Sequence, residues 1–169
     1  EDPYEYRNKA QFPVRMQDGK VIAGLFKEGT HDLVDLPTCS VQYPATMKVM
    51  RKIVEFIDEL EIPVFNEENN SGIIKTVIVR AALNTDDVQV VFVTNTPKFV
   101  KKGFMLKKIM LELPEVTSVM QNINPGDSPL IWGDKTVHLA GKDTIVEKIK
   151  GLSFELSARA FLQLNSIML

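Results

Sequence analysis

Sulfur chemistry is nearly absent from this sequence: its 169 residues include one cysteine, Cys39. No intrachain disulfide can form, which fits a reducing compartment. The two histidines, His31 and His138, lie far apart and have no Cys-x-x-Cys companion, which excludes the common zinc arrangements. No apolar run reaches the roughly 20 residues that span a bilayer. The opening Glu1-Asp2-Pro3-Tyr4 is polar and acidic, and no secretory apolar segment follows it. The expected compartment is therefore the cytoplasm. A Walker-type phosphate loop, a Gly-x-Gly-x-x-Gly element and a Gly-x-Ser-x-Gly elbow are all missing. Positive charge is not in excess either: 20 Lys and Arg against 22 Asp and Glu give a formal net charge of −2. A self-sufficient nucleic-acid binder is usually basic, because phosphate neutralisation supplies much of its affinity. Composition thus argues against strong autonomous binding of nucleic acid, and leaves room for a local basic patch.

What is present is ordinary for a globular chain, with 44% hydrophobic and 25% charged residues. The length suits one domain with a real core plus a short extension. The first forty residues read as β structure. Gln17-Asp18-Gly19-Lys20 is a hairpin signal, and Val21 to Phe26 and His31 to Leu36 form further short strands before Pro37. From Thr46, the apolar positions Met47, Met50, Ile53, Val54, Ile57 and Leu60 recur at helical spacing, and Ile62-Pro63 ends the helix. Ile73 to Leu83 and Val88 to Thr94 predict an antiparallel hairpin of central strands buried on both faces. A second helix is predicted over Lys101 to Leu113, with Leu106, Ile109, Met110 and Leu113 as its apolar stripe. Val116 to Gln121 predicts a strand, followed by short β segments around 136–139, 145–149 and 152–156. In the last, Leu152, Phe154 and Leu156 alternate as a half-buried strand does. Ser157 is placed to cap a helix starting at Ala158 and still running at Leu169. That apolar ending reads as a cut inside a larger protein. The expected fold class is α+β: a mainly antiparallel β-sheet with two amphipathic helices and a C-terminal linker helix.

Candidate chemistry is sparse. His31 is a turn histidine or a catalytic base; His138 sits in a predicted strand. Cys39 is a small buried hydrophobe or a reactive thiol, and no basic residue lies near it in sequence to hold a thiolate. Lys98, Lys101, Lys102, Lys107 and Lys108 form a solvated helix face or a phosphate contact. Arg7, Lys9 and Arg15, interleaved with Tyr4, Tyr6 and Phe12, suit unpaired bases and phosphates, and equally an ordinary edge strand.

Four strings carry a resemblance. They are Tyr6-Arg7-Asn8-Lys9-Ala10-Gln11-Phe12-Pro13-Val14, the run from Gly24 to Cys39, Val116 to Asn124, and Leu152 to Ser157 with Phe161-Leu162-Gln163-Leu164-Asn165. In this order they resemble the bacterial RNA 5-methyluridine (uracil-C5) methyltransferases, over nearly the whole chain. Leu162 departs from the pattern, where a second aromatic is common. Members of that family have an N-terminal oligonucleotide-binding barrel, a central domain and a Rossmann-like methyltransferase domain. The resemblance implies that residues 1–156 are the central, RNA-facing domain and that 157–169 begin the linker helix into a methyltransferase domain.

The rest follows from the resemblance alone. Cys39 matches the fourth cysteine of a [4Fe–4S] cluster whose other three ligands lie upstream in the family. Gln163 matches a glutamine that contacts S-adenosylmethionine, with Phe161 and Asn165 shaping the same junction. Arg7 and Lys9 match a segment that faces RNA, with ribosomal RNA favoured over transfer RNA. In the family a cysteine adds to C6 of uracil, C5 takes the methyl group, and a carboxylate removes the C5 proton. Neither group matches a residue here, so the isolated chain is expected to be inactive. The competing expectation is a stand-alone α+β binding module.

Overall fold

The computed structural model describes residues 3–162. Nine strands and two helices follow the order β1 (Lys9–Gln17), β2 (Lys20–Phe26), β3 (Leu33–Asp35), α1 (Pro44–Glu59), β4 (Ile74–Ala81), β5 (Val88–Thr94), α2 (Lys102–Glu112), β6 (Val116–Ile123), β7 (Lys135–Gly141), β8 (Ile145–Ile149) and β9 (Leu152–Leu156). β1 to β7 form one sheet in the order β3-β2-β1-β4-β5-β6-β7, and β8 pairs with β9 alone. Neighbours are antiparallel except β5 and β6, which run parallel because α2 carries the chain across between them. The fold is the α+β arrangement expected.

Local chemistry accounts for the punctuation. Asp18 and Gly19 both take positive φ (51° and 77°), the requirement of the tight turn joining β1 to β2. α1 starts at Pro44, where a missing N–H costs nothing. It ends on Glu61 at φ 50°, with Glu61 N donating to Asp58 O and Ile62 N to Ile57 O. That paired closure stops the helix before Pro63 does. Its buried row, including Met50, Ile53, Val54 and Ile57, packs on one face of the sheet against Phe12, Val77, Val79 and Phe92. β4 and β5 are buried along their whole length, as central strands should be.

Three expectations need correction. The buried line of α2 is Met105, Ile109 and Leu113, while Met110 is 73% exposed. Of the predicted stripe, Ile109 and Leu113 are buried and Leu106 packs half-buried against the core; Met105 takes the place of Met110. In β9 only Leu156 is buried, clustered with Ala82 and Ile145, while Leu152 and Phe154, nearer the hairpin turn, are exposed. No helix starts at Ala158. Residues 158–162 are turn and coil, with Ala160 N donating to Ser157 O at 3.1 Å. Ala158 is buried against the sheet, and the Arg80 guanidinium takes the Ala160 carbonyl, so this stretch is held by tertiary contacts instead. Gln163 to Leu169 lie outside the described residues. Among the described residues no helix is long and apolar enough to cross a membrane.

Candidate nucleic-acid interface

Strand alternation sorts the sheet into two unlike faces. On β1, Ala10, Phe12 and Val14 join the core under the helices. Lys9, Gln11, Pro13 and Arg15 therefore line the opposite face. Their cross-strand partners on β4 are Arg80 for Lys9, Ile78 for Gln11 and Thr76 for Pro13. β5 and β6 add Val91, Val93 and Met120, which with Ile78 form a small apolar patch. Trp132 and Ala158 pack on that patch.

Cations surround the indole. Lys9 Nζ lies 5.9 Å and Arg159 Cζ 5.7 Å from the Trp132 ring centroid. Arg80 is 4% exposed, and its Nη1 has no hydrogen-bond partner. Among the described residues Lys9, Arg80 and Arg159 form no ion pair. Burial, and then the Arg80 charge, lower the Lys9 ammonium below its ordinary value. Burial likewise lowers Arg80. Like charges placed directly opposite on paired strands destabilise a sheet. Stability alone does not favour that pairing; an anion laid across the two would offset it.

Two asparagines hold the tryptophan in place. Asn122 Nδ2 donates to Gly133 O (3.1 Å), and Gly133 N returns a bond to Asn122 Oδ1 (2.7 Å). Asn124 Nδ2 donates to the carbonyls of Leu130 and Ile131. Both asparagines belong to the Val116–Asn124 string, which sequence reading recognised without assigning them a task. At the other end of the face, Glu147 and Asp87 dock the β8–β9 hairpin. The buried Glu147 carboxylate accepts Leu83 N, Asn84 N, Asn84 Nδ2 and Lys148 N at 2.8 to 3.2 Å. Asp87 accepts Lys142 Nζ and Val146 N.

The residues singled out from sequence divide as follows. Lys9 stands on the cationic face. Arg7 lies one bridge before β1, where its N–H and carbonyl pair with Val41 and Tyr43 and tie the Cys39 loop to the sheet. Its Nε is buried without a partner. Arg15 stands further along the Lys9 row, held by Glu67 (2.8 Å). Cys39 is half-buried and packs against the main core. Among the described residues no group of three or more His, Cys, Asp or Glu could hold a metal ion. One thiolate does not retain an iron–sulfur cluster, so these residues alone do not fit that group. His31 is exposed and pairs with Glu67 (3.1 Å). His138 is exposed on β7, with Nε2 2.8 Å from Gly141 O. The lysine run lies on and beside α2, on the helical side. There Lys108 pairs with Glu59 (2.6 Å), and Lys101 donates to Leu60 O. Gln163 is outside the described residues. Sequence reading missed Arg80, Lys75, Trp132 and Arg159; the available signal was Lys75 and Arg80 interrupting an otherwise apolar strand.

No family model matches the chain. Over 164 residues it is 63% identical to an uncharacterized RNA methyltransferase of Lactiplantibacillus plantarum, covering 97% of this chain and 34% of that protein. An uncharacterized RNA methyltransferase of Enterococcus faecalis is 47% identical, with 98% of this chain and 36% of that protein covered. By sequence, the chain is similar to these RNA methyltransferases over nearly its whole length. It spans about a third of the length of the curated relatives it matches. Among solved structures it resembles Pyrococcus abyssi tRNA (uracil-54, C5)-methyltransferase in complex with S-adenosyl-L-homocysteine. The TM-score is 0.76 at 21% identity, covering 99% of this chain and 39% of that one. At that identity the likeness establishes a shared fold.

Proposed function

We propose that this chain is the central, RNA-facing domain of a cytoplasmic, S-adenosylmethionine-dependent RNA (uracil-C5) methyltransferase acting on 23S ribosomal RNA. The single observation that carries the RNA-facing part is the positive charge of Lys9 and Arg159 over Trp132, with Arg80 opposite Lys9 on β4 and none of the three in an ion pair among the described residues. Phosphates neutralise such a face, and an indole stacks on an unpaired base. The names of the relatives support the methyltransferase part. The motif strings support uracil-C5, and the Pyrococcus protein of the same fold is named for that reaction. The ribosomal preference rests on the motif strings; the name of the Pyrococcus protein speaks for transfer RNA.

In this reading S-adenosylmethionine supplies the methyl group, and Gln163 contacts it through an amide that both donates and accepts. No residue of this chain is assigned as nucleophile or base, and no iron–sulfur cluster enters. The chain's own work is to grip folded RNA, offsetting the few kcal/mol, on the order of a base-unstacking cost, that exposing the target uracil requires. The test is methyl transfer from labelled S-adenosylmethionine to 23S RNA and to transfer RNA, together with RNA binding across a salt series. The chain alone should transfer nothing, and should bind RNA weakly with an affinity that falls as salt rises. Turnover by the chain alone, or salt-independent binding, would overturn the proposal.

A further inference from the structure

Beyond Lys9, the β1 row runs into a cavity of about 470 Å³ over Gln11, Pro13 and Thr76. That volume suits one small ligand. The floor is apolar, from Pro13 and Val93, with Leu25 and Ile131 beside it. One wall is the Arg15 guanidinium, which is fixed on every side. Its Cζ lies 5.6 Å from the Phe26 ring centroid and 5.2 Å from that of Phe65. Nη2 meets Glu67 Oε1 at 2.8 Å, and Nη1 donates to the carbonyls of Val14 and Lys75, both at 2.8 Å. Lys75 is equally committed: Nζ donates to Asn124 O at 2.9 Å and to Gly126 O, and lies 4.9 Å from the Phe65 centroid.

Charge inside the cavity cancels. Glu67 answers Arg15; burial and then the Arg15 charge lower the Lys75 pKa, while Asp127 and Glu67 act in the opposite sense. A phosphate gains nothing there. What remains free is neutral and polar. Among the described residues, neither the Gln11 amide nor the Thr76 hydroxyl has a hydrogen-bond partner. An amide beside a hydroxyl, over an apolar floor and next to a fixed guanidinium plane, matches the edge and face of a heterocycle. The uncompensated charge lies one step back along the same row, at Lys9. Lys9 and Gln11 are two residues apart, about 6.6–6.8 Å along a strand, which is the scale of one nucleotide step.

We propose that this cavity receives one unpaired nucleobase of the RNA, its edge read by Gln11 and Thr76 and its face laid on the apolar floor of Pro13 and Val93, while Lys9 takes the adjoining phosphate. The inference rests on the RNA-facing reading of this sheet face and goes beyond it. The cavity holds no thiol, so the base is gripped and not modified.

The probe is a short single-stranded oligoribonucleotide binding to the full chain, read by anisotropy and by quenching of Trp132, the only tryptophan. An otherwise identical strand with abasic sites serves as the control and needs no protein variant. The intact strand should bind about 5- to 150-fold more tightly than the abasic one, the range of a well-made edge contact. Gln11→Ala with Thr76→Val should shrink that difference several-fold, since only stacking survives, and leave the salt slope unchanged, since neither group is charged. Lys9→Gln should keep the difference and reduce the salt slope by about 1. Equal affinity for intact and abasic strands, with a salt slope still sensitive to Lys9, overturns the base pocket and leaves the RNA-facing reading standing. Absence of any salt-dependent binding overturns both.

Discussion

Replacing Glu147 by alanine should undock the β8–β9 hairpin from the sheet. The side chain is fully buried and accepts four hydrogen bonds, two of them from the main-chain N–H groups of Leu83 and Asn84 at the β4–β5 turn. A bond to a charged acceptor contributes about 1.5–3 kcal/mol, and a buried donor left without a partner costs about 1–3 kcal/mol. The Asn84 amide and Lys148 N can turn to water, so the four bonds do not add. Leu83 is half-buried and Asn84 exposed, so water takes up part of the loss and the cost is roughly 1–3 kcal/mol. For a chain of this size that is a fall in Tm on the order of 5 °C. Glu147→Gln separates charge from shape. Oε1 keeps its three donors, but the new NH2 faces Leu83 N–H, costing about 1–3 kcal/mol. Urea unfolding followed by tryptophan fluorescence reads both variants. The hairpin leads directly into Arg159, which lies over Trp132, so undocking should also change the native emission. A Glu147→Ala variant within about 1 kcal/mol of the parent, with unaltered emission, would refute the account of how the hairpin is held.

Two further outcomes follow from the same geometry. Burial and Arg80 lower the Lys9 pKa, so between that lowered value and the ordinary one the unfolded chain binds the proton more tightly. Stability should therefore rise with pH through that alkaline window, with the full penalty present below it. Lys9→Met should flatten that rise and raise stability at pH 7 by no more than about 1 kcal/mol, since the ammonium is only partly buried and water screens it. A loss of stability at pH 7 in urea titrations would contradict this. Gly133→Ala should cost roughly 2–4 kcal/mol, because its Cβ would stand 1.8 Å from the Ile123 carbonyl, main chain that cannot give way. It should also break the Asn122 clasp and shift Trp132 emission; an unchanged Tm and spectrum would show that the loop is held otherwise.

The elements were legible where one period dominated. α1 repeats apolar residues at three and four, and β4 and β5 are nearly continuous apolar runs, so strand, helix and burial could all be read. α2 was legible as a helix but not in rotation. Leu106, Ile109 and Met110 are interchangeable in a pattern, and only packing into the main core selects the Met105–Ile109–Leu113 line. The turn at Ala158 was invisible because its cause is distant: Arg80, eighty residues away, takes the Ala160 carbonyl. The site was half legible for the same reason. Lys9 stands in a recognisable string, whereas Arg80, Trp132 and Arg159 reach it from three separate segments. Cross-strand register alone brings Arg80 opposite Lys9.

The net charge of −2 misleads about this surface for a physical reason. The helical layer neutralises itself: Lys108 with Glu59, Lys48 with Glu115, Lys52 with Glu55. The opposite face leaves Lys9, Arg80 and Arg159 without acidic partners among the described residues. A layer packed on a sheet lies about 10 Å from it. At physiological ionic strength the Debye length is about 8 Å, so a ligand approaching the open face feels little of the carboxylates behind it. A sum over the whole chain averages two faces that a phosphate never meets together. What governs association is the sign of the face presented, and here alternation along β1 and β4 sets that sign one residue at a time.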